Sequence, residues 1–403
     1  MPSKSAAERV GLKGFLLSFG NPPAKARPGR KTLYYLPWML TVSISLALLA
    51  LAFGAVGPRE IPTLLDPLSG RLGNPPGGRD PPLALPRPPH AVESLQVKLP
   101  KDLARSLDDI LSRAFAEDGE DVTSLAVFGP AVRVSGQIVI RERAVIAGAV
   151  FLPRIFAFLH PAAKVDLLVE DGARVPKGKV LARVEGPAIT VLAAERVALN
   201  LLQRLSGVAT GTREYVDALK GTRTRILDTR KTTPGLRLFE RYAVRCGGGE
   251  NHRFGLAYGF LVKDNHVDGS GSVWDATRRA ADFRELNQSL RGLFLEVEAR
   301  SRDEVHQALD AGAERILLDN MTIPQIRAAV ADIRLFTEAT GQRILVEASG
   351  GMTPERARDA AQAGVDYVSV GAVTHSVRAI DIGLDVDMAL PRVPRKARAR
   401  RRA

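Results

Sequence analysis

The sequence has very little cysteine and, over most of its length, no excess of either charge. Cys246 is the only cysteine among 403 residues, which excludes an intramolecular disulfide and fits a reducing compartment. The formal net charge is +13, but residues 1–32 contribute +6 and residues 391–403 contribute +7, so the chain between them is formally neutral. The charge pattern therefore indicates no specific nucleic-acid partner for the central part of the chain.

The first 92 residues have the pattern of an extension rather than of a folded domain. Residues 33–57 contain no charged side chain and are long enough to cross a bilayer as a helix, and the basic residues before them would keep the N-terminus cytoplasmic. A Pro- and Gly-rich stretch without hydrophobic period follows. We expect residues 1–92 to be disordered or to hold a single helix at 33–57, the only stretch that could associate with a membrane. We expect residues 391–403 to be a disordered basic tail.

Residues 93–210 have the pattern of a small α+β sandwich domain. Leu103, Leu107 and Leu111 recur at helical spacing, strand-like runs cover 132–141, 144–150 and 164–169, and residues 193–205 have a broad apolar helical face. The segment 376–390 is a candidate to pack on this domain.

Residues 211–375 repeat the order strand, polar turn, helix. Several helix starts are marked, by Ser301 with Glu304, by Thr322 with Gln325, and by proline at position 354. Repeated βα units of this length predict a parallel α/β barrel, in which the chemistry lies at the carboxyl ends of the strands.

The predicted strand ends carry three chemically distinct groups of residues. The first is cationic and suits a substrate with more than one carboxylate; it comprises Arg230, Lys231, His252, Arg253 and Lys263. The second is acidic and suits Mg²⁺ or ribose hydroxyls; it comprises Glu296, Glu298 and Asp319. The third offers backbone amides to a phosphate; it comprises Ser349, Gly350, Gly351, Gly371 and Ala372. Two alternatives stay open at this point: the basic stretch 226–266 as a solvated loop, and Glu296 pointing out of the barrel.

The order of these motifs resembles one enzyme family. The segments DTRKTTPGLR, YAVRCGGGENHR, KDNH, LEVE, LLDN, EASGG and GAVTHS, with ERVALNLLQRLSGVATGT upstream, are similar to those of quinolinate phosphoribosyltransferase, also called nicotinate-nucleotide pyrophosphorylase (carboxylating). The resemblance covers roughly residues 95–390.

The resemblance implies a reaction in which quinolinate and phosphoribosyl pyrophosphate give nicotinate mononucleotide, pyrophosphate and CO₂, with Mg²⁺, in NAD biosynthesis. It implies that Arg230, His252, Arg253 and Lys263 bind the two quinolinate carboxylates and that Lys231 lies near the pyrophosphate. It assigns ribose and metal to Glu298 and Asp319, with Lys231 and Lys263 as further catalytic residues. It assigns the phosphate end to Ser349, Gly350, Gly351, Gly371 and Ala372.

The resemblance also implies a homodimer, because Arg196 resembles an arginine that family members insert into the neighbouring subunit's site. Two departures are visible: Tyr258 stands where the family usually has aspartate, and the EDGEDVTS loop is shorter. Phosphoribosyl pyrophosphate is intracellular, which predicts a cytoplasmic enzyme and conflicts with export past 33–57. Either that run is a signal anchor and the enzyme is membrane-anchored, or residues 1–92 do not span or are not normally made.

Two other enzyme functions fit parts of the pattern. One is a related phosphoribosyltransferase acting on another aromatic acid, because Tyr258 departs from the family pattern. The other is a Schiff-base aldolase that uses Lys263 at a strand end.

Overall fold

The computed structural model describes residues 99–387. The predictions for 1–92 and 391–403, including the apolar run 33–57, therefore lie outside the described residues. Within residues 99–387, no helix combines the length and the apolar character that crossing a bilayer requires.

The first domain packs helices against an antiparallel sheet. Its helices are α1 (Lys101–Asp118), α2 (Val122–Val127) and α3 (Leu152–Leu159), and its strands are β1 (Arg133–Ile140), β2 (Ala144–Val145), β3 (Lys164–Leu167), β4 (Arg174–Val175) and β5 (Val180–Pro187). β5 lies between β1 and β3, and β2 pairs separately with β4. Leu103, Leu107 and Leu111 are buried on one face of α1, which confirms the helical spacing read from the sequence.

Two later segments complete this domain and connect it to the second. Helix α4 (Ala188–Ala218) is longer than the predicted 193–205, and it buries residues along its whole length because the first sheet, α3 and α5 of the second domain all pack on it. Strand β12 (Ile382–Asp387) pairs antiparallel with β1, so the segment 376–390 contributes the edge strand of the first sheet.

The second domain is an α/β barrel, as the sequence predicts. Its strands, in chain order, are β6 (Arg225–Leu227), β7 (Phe260–Val262), β8 (Leu295–Ala299), β9 (Arg315–Asp319), β10 (Leu345–Ser349) and β11 (Tyr367–Ser369). All pairs are parallel, each strand from β7 to β11 pairs with the next, and β11 pairs with β6. The ring is interrupted between β6 and β7, where Glu250 forms a bridge to Leu227 on the open edge of β6.

Helices separate the barrel strands, and three of them begin where the sequence predicts, after Ser301, after Thr322 and at Pro354. They are α5 (Arg237–Cys246), α6 (Asp264–Ser270), α7 (Val273–Leu286), α8 (Arg302–Asp310), α9 (Ile323–Thr340), α10 (Pro354–Ala363) and α11 (Ala372–His375). Thr322 and Gln325 form the reciprocal capping box of α9. At α8, Ser301 accepts from the amide of Glu304, but the Glu304 carboxylate accepts from the amide of Arg300 instead of that of Ser301.

Candidate active site

The carboxyl ends of the barrel strands bring the predicted acidic and glycine residues to one rim. Ser349 of β10 lies opposite Asp319 of β9, and Glu298 of β8 lies opposite Leu317, two residues before Asp319. Because side chains alternate along a strand, Glu298 and Asp319 project from the same face. The residues that follow β6, β7 and β11 bring the predicted cations and Gly371 to the same rim.

Arg253 is a buried cation without an acidic partner. It is 9% exposed, and its Nη1 donates to the carbonyl oxygen of Gly259 at 2.8 Å. No carboxylate between residues 99 and 387 lies within salt-bridge distance of it, and its remaining donors keep contact with solvent. Burial and the nearby charge of Arg230 lower the pKa of Arg253, and the charge of Glu296 opposes this only in part. A bound anion would give Arg253 the negatively charged partner that no described carboxylate provides.

Arg230 and Lys231 increase the positive charge of this end. Both side chains are exposed, and neither is paired with a carboxylate of the described residues. The site thus presents three cations without acidic partners, which is the composition expected for binding an anion with several charges.

The cationic segment is held in place by Asp228 at the end of β6. Its Oδ1 accepts from the amide of His252 at 2.7 Å, and its Oδ2 accepts from Asn251 Nδ2 at 2.6 Å. Arg241 Nη1 lies 3.4 Å from Asp228 Oδ1 and donates to the carbonyl oxygen of His252 at 2.6 Å. Burial raises the pKa of Asp228, whereas Arg241 and the amide bonds oppose this rise. Arg241 therefore positions the segment that carries Arg253.

Lys263 forms an ion pair with Glu298. Its Nζ donates to Glu298 Oε2 at 2.9 Å, and its side chain is 44% exposed. The ring of His266 accepts from the amide of Lys263 and so fixes the start of α6. Lys263 and Glu298, which come from neighbouring strands, therefore place a positive and a negative group at the same point of the rim.

Beneath this rim, the barrel interior holds a cluster of buried ionisable groups. His252 Nε2 lies 3.0 Å from Glu296 Oε2 and 3.4 Å from Glu347 Oε2, and both carboxylates are fully buried. Arg315 Nη1 lies 3.6 Å from Glu347, and its Nε lies 4.0 Å from Glu296. We call His252, Glu296, Arg315 and Glu347 the inner polar layer. Glu296 therefore points into the barrel, which decides the alternative left open by the sequence.

Both ring nitrogens of His252 have partners in this layer. Nδ1 accepts from the amide of Arg253 at 2.7 Å, which corresponds to a ring with its hydrogen on Nε2. Burial alone would lower the pKa of His252, but the hydrogen bonds and charges of Glu296 and Glu347 outweigh it and raise the pKa to about 10. The second proton that this raised pKa favours would occupy Nδ1 and end its hydrogen bond with the Arg253 amide, so the protonation of His252 is coupled to the backbone at Arg253.

Two sets of acidic residues differ in their fit to a metal. One ligand atom each from His252, Glu296 and Glu347 lies within 4.8 Å of the others, but Arg315 already supplies positive charge beside both carboxylates. Glu298 and Asp319 offer two carboxylates on adjacent strands, which suits Mg²⁺, an ion that keeps several waters and substrate oxygens. The observed geometry thus leaves Glu298 and Asp319 as the better candidates for Mg²⁺.

The glycine residues of the third predicted group allow close approach of the backbone. Gly350 has φ +95°, and a Cβ there would lie 2.2 Å from Asn320 Oδ1. A Cβ on Gly371 would lie 3.1 Å from Lys231 Cδ, so the Lys231 side chain passes over Gly371. Ser349, Gly351 and Ala372 flank these two positions along the chain.

A network between α4 and α5 anchors the loop that carries Arg230 and Lys231. The carboxylate of Glu240 is fully buried; it accepts from Arg204 Nη2 at 2.8 Å and from the amide of Thr233 at 3.0 Å. Thr374 donates to the carbonyl oxygen of Lys231 at 2.9 Å, and Arg204 Nη2 donates to the carbonyl oxygen of Thr374. The loop is thus bound to both α4 and α11.

The chain matches models of both domains of one family. The model "Quinolinate phosphoribosyl transferase, N-terminal domain" matches residues 121–206, and "Quinolinate phosphoribosyl transferase, C-terminal domain" matches residues 208–385. The chain is 44% identical over 287 residues to "Nicotinate-nucleotide pyrophosphorylase [carboxylating]" of Mycobacterium leprae (strain TN), an alignment that covers 69% of this chain and 96% of that protein. It is 40% identical over 311 residues to "Quinolinate phosphoribosyltransferase [decarboxylating] 2b, mitochondrial" of Nicotiana tabacum, covering 74% and 87%. The chain belongs to the quinolinate phosphoribosyltransferase family.

A solved structure gives the same result for the fold. The structure of the nicotinate-nucleotide pyrophosphorylase from Francisella tularensis is similar to this one, with a TM-score of 0.65 and 32% sequence identity. The alignment covers 72% of this chain and 98% of the Francisella chain. The family assignment therefore extends over both described domains.

Two features that the sequence analysis connected with the family have clear positions in the structure. Arg196 is exposed on α4 and contacts none of the cations at the rim within this chain. Tyr258 is 48% exposed and packs its ring edge-to-face on Phe254, with the centroids 5.5 Å apart. Tyr258 thus packs in the loop before β7 and is not buried in the barrel.

The sequence analysis missed several residues that organise this site. Arg315 and Glu347 lie inside the short apolar runs RILLDN and RILVEASG, at alternate positions to Asp319 and Ser349, and this alternation was the available signal. The network of Arg204, Glu240 and Thr374 had no comparable signal, because its members come from helices far apart in the chain.

Proposed function

We propose that this member of the quinolinate phosphoribosyltransferase family transfers the phosphoribosyl group of phosphoribosyl pyrophosphate to quinolinate. The products are nicotinate mononucleotide, pyrophosphate and CO₂. The observation that carries the proposal is the buried Arg253, which has no acidic partner and lies beside Arg230 at the carboxyl end of a parallel barrel. Quinolinate offers two adjacent carboxylates, which these cations would bind.

The first chemical step needs positioning more than it needs a side-chain nucleophile. The ring nitrogen of quinolinate attacks C1 of the ribose, and the bond from C1 to the pyrophosphate oxygen breaks. Lys231 would lie near the departing pyrophosphate, because its side chain passes over Gly371 at the rim. Ser349, Gly350, Gly351, Gly371 and Ala372 would receive the phosphate of the ribose 5-phosphate.

The second step releases CO₂. The bond between C2 and its carboxylate breaks, the electron pair stays on C2, and C2 then takes up a proton. Arg253 and Arg230 would hold the second carboxylate during this step and stabilise the negative charge that develops on the ring. In this proposal Lys263 lies at the ring and Glu298 toward the ribose, and the ion pair between the two side chains supports their acting at one point of the rim.

We propose that Glu298 and Asp319 hold Mg²⁺ together with substrate oxygens. The ion would neutralise charge on the pyrophosphate as it leaves. The two side chains project from the same face of neighbouring strands, which supports this assignment.

We also propose a cytoplasmic homodimer in which Arg196 acts in the partner's site, since Arg196 is exposed and its side chain forms no hydrogen bond or ion pair with residues 99–387. If this holds, mixing inactive Arg196→Ala with inactive Lys263→Ala protein restores part of the activity through hybrid sites. No recovery after confirmed subunit exchange contradicts a shared site.

The Schiff-base alternative is disfavoured by the surroundings of Lys263. An amine that forms an imine is usually desolvated or lies beside another cation, whereas Lys263 is 44% exposed and pairs with Glu298. Borohydride trapping of a carbonyl substrate on Lys263 would be needed to revive this alternative.

The direct test of the proposed function measures ¹⁴CO₂ from quinolinate labelled in the 2-carboxylate. We expect release that requires phosphoribosyl pyrophosphate and Mg²⁺, with nicotinate mononucleotide formed in equal amount. Folded protein that releases no label refutes the proposal. A panel of other pyridine and benzene carboxylates in the same assay tests the choice of acid.

A further inference from the structure

Burying the inner polar layer is unfavourable, and apart from His252, which the sequence analysis assigned to the quinolinate carboxylates, its residues have no place in the proposed chemistry. Glu296 and Glu347 are 0% exposed, and Arg315 is 15% exposed between the rings of Phe294 and Tyr367, each 4.9 Å from its guanidinium carbon. A buried ion cluster rarely stabilises a fold more than well-packed apolar side chains of the same volume would. Its presence in the barrel interior therefore suggests a function other than stability.

The four groups of the layer balance in charge when they share one additional proton. Two carboxylates and Arg315 leave one negative charge, which a proton on His252 or on a glutamate neutralises. Burial followed by the charge of Glu347 raises the pKa of Glu296, whereas His252, Ser369 and Arg315 overcome burial and lower the pKa of Glu347. The lowered pKa favours the ionised form of Glu347, and His252 Nε2 lies between the two carboxylates, 3.0 Å from Glu296 and 3.4 Å from Glu347.

The inner polar layer is connected to the cationic end of the barrel through His252, which is bonded to Arg253 along the chain and by a hydrogen bond. The His252 ring is fixed at Nε2 by the two glutamates, and its Nδ1 accepts from the amide of Arg253 at 2.7 Å. Arg253 carries the buried guanidinium that has no acidic partner. A shift of the imidazole ring is therefore transmitted directly to the backbone of Arg253.

We propose that Glu296, Arg315 and Glu347 are positioning residues, which hold His252 and through it set the place of Arg253 in the dicarboxylate site. The inference rests on the proposed function. It assigns to the layer an effect on the binding of the aromatic acid and none on the pyrophosphate end, because the loop of Lys231 has its own support from Thr374 of α11.

The test compares Glu347→Gln with wild-type protein in steady-state kinetics with each substrate varied. Glutamine keeps the volume and one acceptor for His252 but removes the charge. We expect the KM for quinolinate to rise about tenfold, since small displacements of a binding group cause losses of this order. We expect the KM for phosphoribosyl pyrophosphate to stay within about twofold. Glu296→Gln should give the same pattern and serves if the first variant folds poorly.

Glu314→Gln is the matched control. Glu314 lies at the amino end of β9, where its carboxylate accepts from Arg284 at 2.6 Å and from the amide of Leu295 at 3.2 Å, outside the site. It should leave both KM values unchanged. An unchanged KM for quinolinate in folded Glu347→Gln and Glu296→Gln, with or without a fall in kcat, overturns the proposal. So does an equal rise in both KM values.

A second measurement separates this inference from the proposed function. In ¹H–¹⁵N spectra of histidine-labelled protein without substrates, a His252→Gln variant identifies the His252 signals among the six histidines of the chain. We expect these signals to move in Glu347→Gln and to stay in place in Glu314→Gln. Unmoved His252 signals overturn the proposal, whereas absence of ¹⁴CO₂ release from wild-type protein refutes the proposed function alone.

Discussion

At the scale of single residues, the most informative side chain is Arg253. A buried guanidinium that pairs with no carboxylate of the described residues is unfavourable in the free protein. Pairing with it therefore contributes more to the binding free energy of an anionic ligand than pairing with an exposed arginine would. Its planar fork also suits a carboxylate better than an ammonium does.

Replacing Arg253 with lysine should therefore weaken the binding of quinolinate. We expect the KM for quinolinate to rise about 10- to 100-fold, because lysine loses one charge-assisted hydrogen bond, which contributes about 1.5–3 kcal/mol. The matched control is Arg278→Lys, because Arg278 lies on α7 and pairs with Asp282 at 2.8 Å, away from the site. Equal KM values for wild type and Arg253→Lys would show that Arg253 does not bind the acid.

Gly350 is a second residue whose role can be tested singly. Alanine at this position would meet Asn320 Oδ1 at 2.2 Å and adopt φ +95°, whereas Gly312 has φ +93° with no atom within 4 Å of an added Cβ. Both Gly350→Ala and Gly312→Ala should lose about 1–2 kcal/mol of unfolding free energy to backbone strain, and Gly350→Ala should lose more because its Cβ also overlaps Asn320.

Only Gly350→Ala should also change catalysis. We expect its KM for phosphoribosyl pyrophosphate to rise at least about tenfold, because the turn must shift away from the phosphate. Chemical denaturation and initial rates measure the two effects. If both variants bind phosphoribosyl pyrophosphate like wild type, the turn does not hold the phosphate.

At the scale of elements, the loop between β6 and α5 depends on α4. Glu240 is fully buried, and its Oε1 accepts from Thr233 Oγ1 at 2.7 Å and from Arg204. The long helix therefore acts as the support of a loop whose cations lie at the site, which links the first domain to the chemistry of the second.

Glu240→Gln tests this support. It should lower the free energy of unfolding by about 1–3 kcal/mol, because the half-buried Arg204 loses its charged partner at a fully buried position, and it should reduce kcat/KM for phosphoribosyl pyrophosphate. A double-mutant cycle with Arg204→Gln should be non-additive, because the two side chains are in contact. Glu285→Gln, an exposed residue 63% accessible, is the control. Strictly additive effects would show that the ion pair does not couple the elements.

At the scale of the whole molecule, the chain returns to its first domain after completing the barrel. Glu142 secures this return: its Oε1 accepts from Arg378 Nη1 at 2.7 Å and from the amide of Asp381 at 2.9 Å, just before β12. The hydrogen bonds from Arg378 and then from Asp381 lower the pKa of Glu142 from 4.5 to about 2.

This lowered pKa predicts how the stability depends on pH. Because the folded protein holds Glu142 ionised down to about pH 2, the contribution is complete above about pH 4.5 and is lost as the pH falls toward 2. Arg378 is 70% exposed, so solvent screening limits the contribution to about 1 kcal/mol or less. Glu142→Gln should lower Tm at pH 6, and the difference from wild type should shrink as the pH approaches 2. A difference that grows in acid would contradict this assignment, and Glu120→Gln, an exposed residue in the turn before α2, is the control.

The α/β barrel, three helix starts and the polar residues that follow the strands could be predicted from the sequence alone, because these depend on local order along the chain. Alternating apolar positions, capping residues such as Thr322, and polar residues after each strand are all read within a few residues of one another. The family motifs add to this for the same reason: each is a short continuous segment.

Only the tertiary structure decided which charges meet. His252 contacts glutamates from β8 and β10, and Glu240 contacts Arg204 of α4, across separations that no local pattern records. Burial then sets the consequence, because a charge removed from water must find its partner within the fold or in a ligand. That is why Glu296 and Glu347 belong with His252, while Arg253 is left for a substrate.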